Sequence, residues 1–243
     1  MAKKKSVPAD DHSKIIQIKT VKKTKVAVKK AAKKVVKKVV KKAAKKSVPN
    51  IKIDTNAVFQ FKITLVQSRP PIWRRIQVDD CMLDRLHEHI QTAMGWTNSH
   101  LHQFEISGKQ YADPMLMEEG MKEFGVLDST RTNISKFVPK TGKQFQFKYE
   151  YDFGDGWEHE ILLEGIFPKE PGRNYPLCLE GERACPPEDV GGIHGFHNFL
   201  AAHANPKHEN HIDMVRWLAK FDPDKFNAKS ATAAMKKGFS DWR

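Results

Sequence analysis

A low-complexity lysine segment limits the part of this 243-residue chain that can form a hydrophobic core. Residues 29–46 read KKAAKKVVKKVVKKAAKK, which repeats every four residues and is symmetric about Lys37 and Lys38. In a helix this period drifts about 40° per repeat, so the alanine/valine pairs and the lysine pairs would form two slowly rotating stripes. Lysine repulsion and the β-branched valines oppose that helix in free solution. We expect residues 1–50 to be a disordered basic tail and residues 51–243 to hold the folded domain.

The net charge is divided unequally between these two parts. The whole chain carries +13 at pH 7. Residues 1–50 contain eighteen lysines against Asp10 and Asp11, which gives +16 and leaves −3 for residues 51–243. A basic stretch favours contact with phosphates, but this argument applies to the tail and gives no support for nucleic-acid binding by the domain.

We predict that the tail contacts DNA or RNA without sequence specificity, because it shows no pattern that could recognise individual bases. The alternatives are a solubilising segment without a fixed partner and an anionic membrane surface, which the absence of Trp and Phe from residues 1–50 disfavours. The composition of about residues 19–46 is similar to that of the lysine-, alanine- and valine-rich tails of linker-histone-like proteins. The lysines expected to bind are Lys22, Lys23, Lys29, Lys30, Lys33, Lys34, Lys37, Lys38, Lys41, Lys42, Lys45 and Lys46.

Three cysteines, at positions 81, 178 and 185, do not form an even set of disulfides. No apolar run approaches the roughly 18 residues that a membrane span needs, and the first residues lack the apolar stretch of a secretory signal. We therefore expect a cytoplasmic, nucleoid-associated protein with no membrane partner.

Alternation and helical periodicity predict an α+β fold, with a mixed or antiparallel sheet of hairpins and packed helices. Apolar and polar residues alternate over 58–65, 72–78, 145–151 and 157–164, which predicts strands. Pro70 and Pro71 fix the turn of the first hairpin, and Asp155-Gly156 that of the second. Apolar spacing predicts helices over about 82–94, 194–204 and 211–220, the first with Asp79 or Asp80 as its N-cap. Residues 115–140 are predicted to form loop and short helical pieces, with 127–137 as the best candidate.

Two histidine pairs precede the second hairpin. His87 and His89 lie about 200° apart on the first helix, which predicts surface side chains rather than a shared metal. His100 and His102 would point to one face of a strand and could ligate a metal. We favour a solvent-facing pair over that alternative.

The second hairpin and a downstream acidic loop form the candidate functional loop. The stretch YEYDFGDGWEHEI, residues 149–161, lacks both the companion motifs of a kinase and the twelve-residue length of a calcium loop. His159 shares the apolar face with Trp157, where a core histidine is favoured over a ligand. Glu188 and Asp189 precede a predicted helix, and the dipole of that helix alone could explain acidic residues at these positions. The residues of the candidate loop are Asp152, Asp155, Trp157, His159, Glu188 and Asp189.

A cysteine- and histidine-containing segment, residues 175–200, suggests a zinc site. Six residues separate the two cysteines across a turn with a glycine, so both thiols could face one point. Two thiolates with one or two imidazoles would give zinc its tetrahedral ligands, and the alternative is two metal-free thiols. The candidate ligands are Cys178, Cys185, His159 and His194.

The motifs PPIWRRI, YDFGDGWEH, YPLCLEGERACPPEDVGG and FDPDKFN resemble the plasmid pRiA4b open-reading-frame-three-like family, over roughly residues 56–230. Its members are sometimes labelled TnpR-type passengers of insertion elements. The resemblance implies an α+β domain often encoded on or near mobile elements, and it implies no particular activity. Where the family commonly has Cys after Pro-Pro-Glu-Asp, this chain has Val190. If the family binds zinc through three cysteines and a histidine, this chain lacks one ligand unless His194 replaces it.

Two functional hypotheses follow. In the first, the chain is a DNA-associated interaction protein whose domain binds a protein or peptide partner. In the second, the domain is a metal-dependent hydrolase or nuclease that uses the acidic hairpin and the cysteine/histidine segment, and it requires carboxylates to converge on a metal ion. The lack of a catalytic motif and the negative charge of the domain favour the first hypothesis.

Overall fold

A computed structural model describes residues 56–118, 120–139 and 144–240, and the predicted tail lies outside these residues. Within them the chain forms eight strands and five α-helices, so the predicted α+β class is confirmed. The elements are β1 Ala57–Leu65, β2 Trp73–Asp79, α1 Leu83–Met94, β3 His102–Ile106, β4 Lys109–Ala112, α2 Pro114–Glu118, β5 Leu127–Asp128, β6 Phe145–Tyr151, β7 Trp157–Pro168, β8 Leu177–Glu182, α3 Gly192–Ala204, α4 His211–Trp217 and α5 Ala228–Lys237.

All eight strands belong to one mixed sheet with the order β5-β4-β3-β6-β7-β1-β2-β8. The predicted hairpins β1–β2 and β6–β7 both form, and they join through an antiparallel pairing of β1 with β7. The β4–β5 pair is parallel, and each of the other pairings is antiparallel. The two hairpins therefore form the centre of the sheet.

The core lies where the inward face of the sheet meets α1. From Phe59 to Leu65, alternate residues of β1 are fully or almost fully buried and the residues between them are partly exposed, as the period of two predicts. Leu83, Leu86 and Ile90 of α1 are buried in the same apolar cluster as Phe59 and Phe61. This packing fixes α1 against the hairpins.

The edge strand β8 is closed by a side chain rather than by another strand. The backbone N–H of Cys178 donates to the Thr232 hydroxyl at 2.9 Å, and that hydroxyl donates to the Cys178 carbonyl at 3.1 Å. Thr232 of α5 thus satisfies both backbone groups that an edge strand leaves open at this position. The opposite edge, β5, has only two residues.

The described residues between 115 and 140 form loop and short helical pieces, as predicted, but the best candidate, 127–137, is not one continuous helix. The chain there forms β5 and two short 3-10 turns, Ser129–Arg131 and Ile134–Lys136. Long-range bonds determine this path, since the N–H of Ile134 donates to the Cys81 carbonyl and Asp80 accepts from Ser135. Asp80 is therefore not the N-cap of α1, and that position is Met82 without a side-chain cap.

The fourth helix ends at Trp217 rather than at residue 220, and the sequence patterns did not predict β8 or α5. Across the described residues, none of the helices has the length and apolar character needed to cross a membrane.

Arg74 is a buried charge that joins several elements. Its side chain is 1% exposed and lies 3.9 Å from the centre of the Phe226 ring. Burial lowers the pKa of Arg74, but a guanidinium stays protonated in proteins. The guanidinium donates at 2.8–3.0 Å to four backbone carbonyl oxygens, those of Trp73, Ala93, Glu182 and Arg183. It therefore connects β2 with the C-terminal end of α1 and the end of β8.

We expect Arg74→Met to lower the free energy of unfolding by about 3 kcal/mol or more, because several buried carbonyl groups lose their donors at about 1–3 kcal/mol each. Arg75→Met on the same strand is the matched control. Arg75 forms partly exposed ion pairs with Glu164 and Glu180, so its loss should cost less than about 1 kcal/mol. Urea unfolding measures both, and equal costs would contradict the role given to Arg74.

Candidate functional site

The turn of the β6–β7 hairpin, residues 152–156, meets the acidic loop, residues 188–192, and we call this contact the loop junction. The N–H of Gly191 donates to Asp155 Oδ2 at 3.1 Å. Gly192 has φ +65°, and a Cβ atom there would collide with the carbonyl oxygen of Asp155. Only glycine allows this approach of the two backbones, so the Gly191-Gly192 pair holds the acidic loop against the hairpin.

Asp152 stabilises the hairpin side of the junction. Its Oδ1 accepts from the N–H groups of Gly154 at 2.9 Å and Asp155 at 3.3 Å, and its own N–H donates to the Leu101 carbonyl. The residue has φ +56°, which aspartate tolerates better than most residues. This conformation buries Asp152 to 7% exposure and turns Oδ2 toward His100.

His100 lies between two carboxylates. Its Nε2 is 3.0 Å from Asp189 Oδ1 and 3.6 Å from Asp152 Oδ2. One atom from each of the three residues lies within 4.8 Å of the other two. We call His100, Asp152 and Asp189 the His100 cluster; it is half-buried at His100 and exposed at Asp189. An imidazole between two carboxylates can act as an ion pair, a proton acceptor or a set of metal ligands.

Glu188 lies beside this cluster in a network of donors. The N–H and hydroxyl of Thr97 donate to Glu188 Oε1 at 2.9 and 3.1 Å, and the Tyr151 hydroxyl donates to the same oxygen at 3.1 Å. Ser99 N–H donates to the Tyr151 hydroxyl at 3.0 Å. Burial and the Glu188 carboxylate raise the pKa of Tyr151, so the phenol stays protonated and donates.

A buried layer of aromatic and histidine side chains lies behind the junction. His87 Nδ1 and the Tyr149 hydroxyl are 2.7 Å apart, as are His87 Nε2 and Asn98 Oδ1. The His87 ring stacks on His102 with centroids 3.5 Å apart. The prediction of surface histidines is therefore wrong for His87, His89 and His102, which are at most 6% exposed. All three side chains pack into the folded domain, and for His87 the polar partners Tyr149 and Asn98 come from distant or following segments.

His159 is fully buried, as its place on the inward face of β7 predicts. Its ring lies edge-on to Trp96 with centroids 5.2 Å apart. Neither ring nitrogen has a hydrogen-bond partner of good geometry among the described residues. Burial is the main cause that lowers the pKa of His159, to about 4. The nearby backbone groups of Tyr149 and Trp157 raise the pKa by a smaller amount.

The structure does not bring the candidate zinc ligands together. Among the described residues, the His100 cluster is the one group of three or more metal-binding side chains within 4.8 Å of one another. Cys178 lies in β8, where burial raises its pKa to about 11, and burial also raises the pKa of Cys185. His159 lies in the core and His194 is exposed on α3. A tetrahedral set of two cysteines and two histidines is therefore not formed by these four residues.

The candidate loop residues separate into two groups. Asp152, Asp155, Glu188 and Asp189 meet at the loop junction, whereas Trp157 and His159 lie beneath it in the core. Sequence patterns offered His100 as a possible metal ligand beside His102, but they missed its two carboxylate neighbours and the roles of Tyr151 and Thr97. The pairing of His102 with Tyr151 places His100 at the junction, and no local spacing encodes a pairing between segments some fifty residues apart.

Comparison with known proteins agrees with the sequence motifs. The match to the family of plasmid pRiA4b ORF-3-like proteins covers residues 57–230. The chain is 42% identical over 169 residues to the uncharacterised protein y4hQ of Sinorhizobium fredii. This match covers 69% of the present chain and 84% of y4hQ. The chain is also similar to the crystal structure of MM3350, a protein of unknown function from Methanosarcina mazei, with a TM-score of 0.65 and 33% identity over 72% of this chain and 98% of the other. The chain belongs to the plasmid pRiA4b ORF-3-like family.

Gly192→Ala should lower the free energy of unfolding by about 3 kcal/mol, because it adds a backbone collision to the cost of positive φ. Gly172→Ala is the matched control, since Gly172 has φ +76° and no neighbouring atom within 4 Å of the added Cβ. We expect the control to cost about 1 kcal/mol. Chemical denaturation of both variants tests this, and a Gly192 variant as stable as the control would mean that the junction tolerates separation.

We expect the domain to lose stability as the pH falls from about 6.5 to about 4. In the folded domain, the pKa of His159 and the pKa of His89 are each lowered to about 4. Burial is the main cause for both residues, and the positive charge of Arg85 lowers the pKa of His89 further. The unfolded chain therefore binds more protons in this range, and each histidine contributes a slope of up to about 1.4 kcal/mol per pH unit. His159→Leu should reduce the slope by one such contribution, whereas His194→Leu on the exposed face of α3 should not. Unfolding free energies at pH 5 and pH 7 check this, and an unchanged slope in His159→Leu would contradict it.

Proposed function

We propose that this member of the plasmid pRiA4b ORF-3-like family is a DNA-associated interaction protein. In it, the lysine-rich tail contacts nucleic acid without sequence specificity, and the α+β domain binds a protein or peptide partner. The observation that carries the proposal is the division of charge, with +16 in residues 1–50 and −3 in residues 51–243. This division also supports association with the nucleoid.

The outward face of the sheet supports assigning the nucleic-acid contact to the tail. Glu150 lies directly opposite Glu158 on neighbouring strands, and Glu158 and Glu160 are both exposed. Lys148 of the same face is paired with Glu105. A surface with carboxylates in adjacent positions repels phosphates, so it is unsuited to the nucleic-acid backbone.

A cavity beside the loop junction supports the partner-binding role of the domain. It has a volume of about 430 Å³, and its lining includes Val190, Phe199, Met214 and Trp217. Trp217 is 46% exposed, and exposed apolar surface of this kind is typical of contacts with other proteins. Asp189 also lines the cavity. A partner that fits would present a basic residue next to apolar side chains.

A second candidate function, a metal-dependent hydrolase or nuclease, is favoured by one observation. Two carboxylates and an imidazole of the His100 cluster lie within 4.8 Å of one another at the surface of the loop junction. Hydrolases that use a metal ion need such a set of ligands with positions left open for water and substrate. This function requires an ion at the His100 cluster.

Salt dependence of DNA binding tests the main proposal. For the full chain we expect the logarithm of the association constant to fall against the logarithm of salt concentration with a slope of about −5 or steeper, because six phosphate contacts at about 0.9 each give that value. Replacing the twelve lysines expected to bind, which are those from Lys22 to Lys46 other than Lys25, with glutamine should abolish most of the binding. Fluorescence anisotropy with a short duplex of arbitrary sequence measures both.

The matched control changes lysines of the domain instead. The double variant Lys62→Gln, Lys148→Gln should bind DNA as the unchanged chain does. If the tail variant kept the affinity and slope of the unchanged chain, nucleic-acid binding would belong to the domain and the proposal would be wrong.

A further inference from the structure

The His100 cluster has the donor atoms and spacing of a metal site. We propose that His100 Nε2, Asp152 Oδ2 and Asp189 Oδ1 bind one divalent transition-metal ion at the loop junction. The inference deepens the second candidate function by naming its ligands, and it rests on that function only for the use of the ion in catalysis. Without any catalytic role, a bound ion would still hold the hairpin turn and the acidic loop together at the loop junction.

The distances suit ligands of a single ion. Ligand atoms about 2.1 Å from a metal are separated by about 3.0 Å at an angle of about 90° and by about 3.6 Å at about 120°. His100 Nε2 is 3.0 Å from Asp189 Oδ1 and 3.6 Å from Asp152 Oδ2. Both separations therefore fit without movement of His100. The two carboxylate oxygens lie within 4.8 Å of each other, so closure requires only a small adjustment of the exposed Asp189 side chain.

Asp152 gives further support, because one oxygen of its largely buried carboxylate is directed at His100. The side chain is 9% exposed. Both hydrogen bonds that it accepts from described residues go to Oδ1. Oδ2 faces His100 Nε2 at 3.6 Å, which is too long for a hydrogen bond. A cation placed between Oδ2 and His100 Nε2 would contact both atoms.

Local charge also favours a cation. Four carboxylates, those of Asp152, Asp155, Glu188 and Asp189, lie at the loop junction. Within the described part of the chain, none of them forms an ion pair with a lysine or arginine, and His100 is their one basic partner. Several carboxylates elsewhere in the domain have such partners, as Glu164 has Arg75. The junction is thus a negative site beside an imidazole ligand.

The ligand set selects the class of metal. Calcium and magnesium prefer oxygen ligands throughout, whereas imidazole nitrogen suits zinc, iron, nickel and copper, and carboxylate oxygen suits manganese. One imidazole therefore favours Zn²⁺ over Mg²⁺ and Ca²⁺, and the two carboxylates make Mn²⁺ the second candidate ion. Three protein ligands leave further coordination positions open, and Asp189 also lines the 430 Å³ cavity. Water or a substrate could reach the ion from that side.

Direct binding of Mn²⁺ and Zn²⁺ to the chelator-treated full chain tests the proposal. Electron paramagnetic resonance measures free Mn²⁺, and calorimetry measures Zn²⁺, Mg²⁺ and Ca²⁺. We expect one Mn²⁺ or Zn²⁺ per chain, bound more tightly than Mg²⁺ or Ca²⁺. His100→Gln and Asp189→Asn should each weaken binding at least about tenfold, since loss even of residues that only support a ligand has effects of about 10–100-fold. Both side chains are partly or largely exposed, so these variants should fold.

Matched controls carry the same changes away from the cluster. His197→Gln and Asp213→Asn, on α3 and α4, should bind the ion as the unchanged chain does. Failure of the unchanged chain to bind, or equal binding by the two cluster variants, would overturn the proposal and leave the His100 cluster as an ion pair. Nuclease and phosphodiesterase assays with Mn²⁺ separate the two inferences. Binding without hydrolysis would support the metal site and contradict the second candidate function.

Discussion

The buried guanidinium of Arg74 is the contact on which the position of the candidate site depends. It is held without a carboxylate by carbonyl oxygens at the end of α1 and at the end of β8. The segments that leave these two ends carry Thr97 and Glu188, which bond to each other, and the Trp96 Nε1–H donates to the Pro186 carbonyl. Because both segments start from one fixed charge, the acidic loop has little freedom to move away from the sheet.

Backbone geometry, rather than side-chain packing, then completes the loop junction. Gly191 and Gly192 let the acidic loop approach the hairpin, and Asp155 accepts the N–H of Gly191. Asp152 uses one carboxylate oxygen to hold the turn and presents the other to His100. The residues that shape this turn are therefore the residues that would bind an ion. A substitution that loosened the turn would displace the ligands together with it.

Local patterns predicted the parts of the fold that depend on local order. Alternation gave the β1–β2 and β6–β7 hairpins, and helical spacing gave α1 and α3 within a few residues. These local patterns could not predict the β1–β7 pairing, which joins residues about a hundred positions apart. The same limit explains His87, whose polar character predicts exposure although Tyr149 and Asn98 satisfy it in the core. It also explains why four acidic residues of the site were identified while His100 was considered as a metal ligand only together with His102, and not with Asp152 and Asp189.

The extent of the family match separates the two proposed activities. Residues 57–230 include every residue of the loop junction and of the His100 cluster, whereas the lysine-rich segment 29–46 lies outside them. Residues 51–243 carry a net charge of only −3. The proposed nucleic-acid association would therefore belong to the tail and not to the part of the chain that defines the family. A metal ion at the junction would instead arise from the geometry of the matched domain, because its ligands are positioned by the hairpin turn, the β3–β6 pairing and the acidic loop.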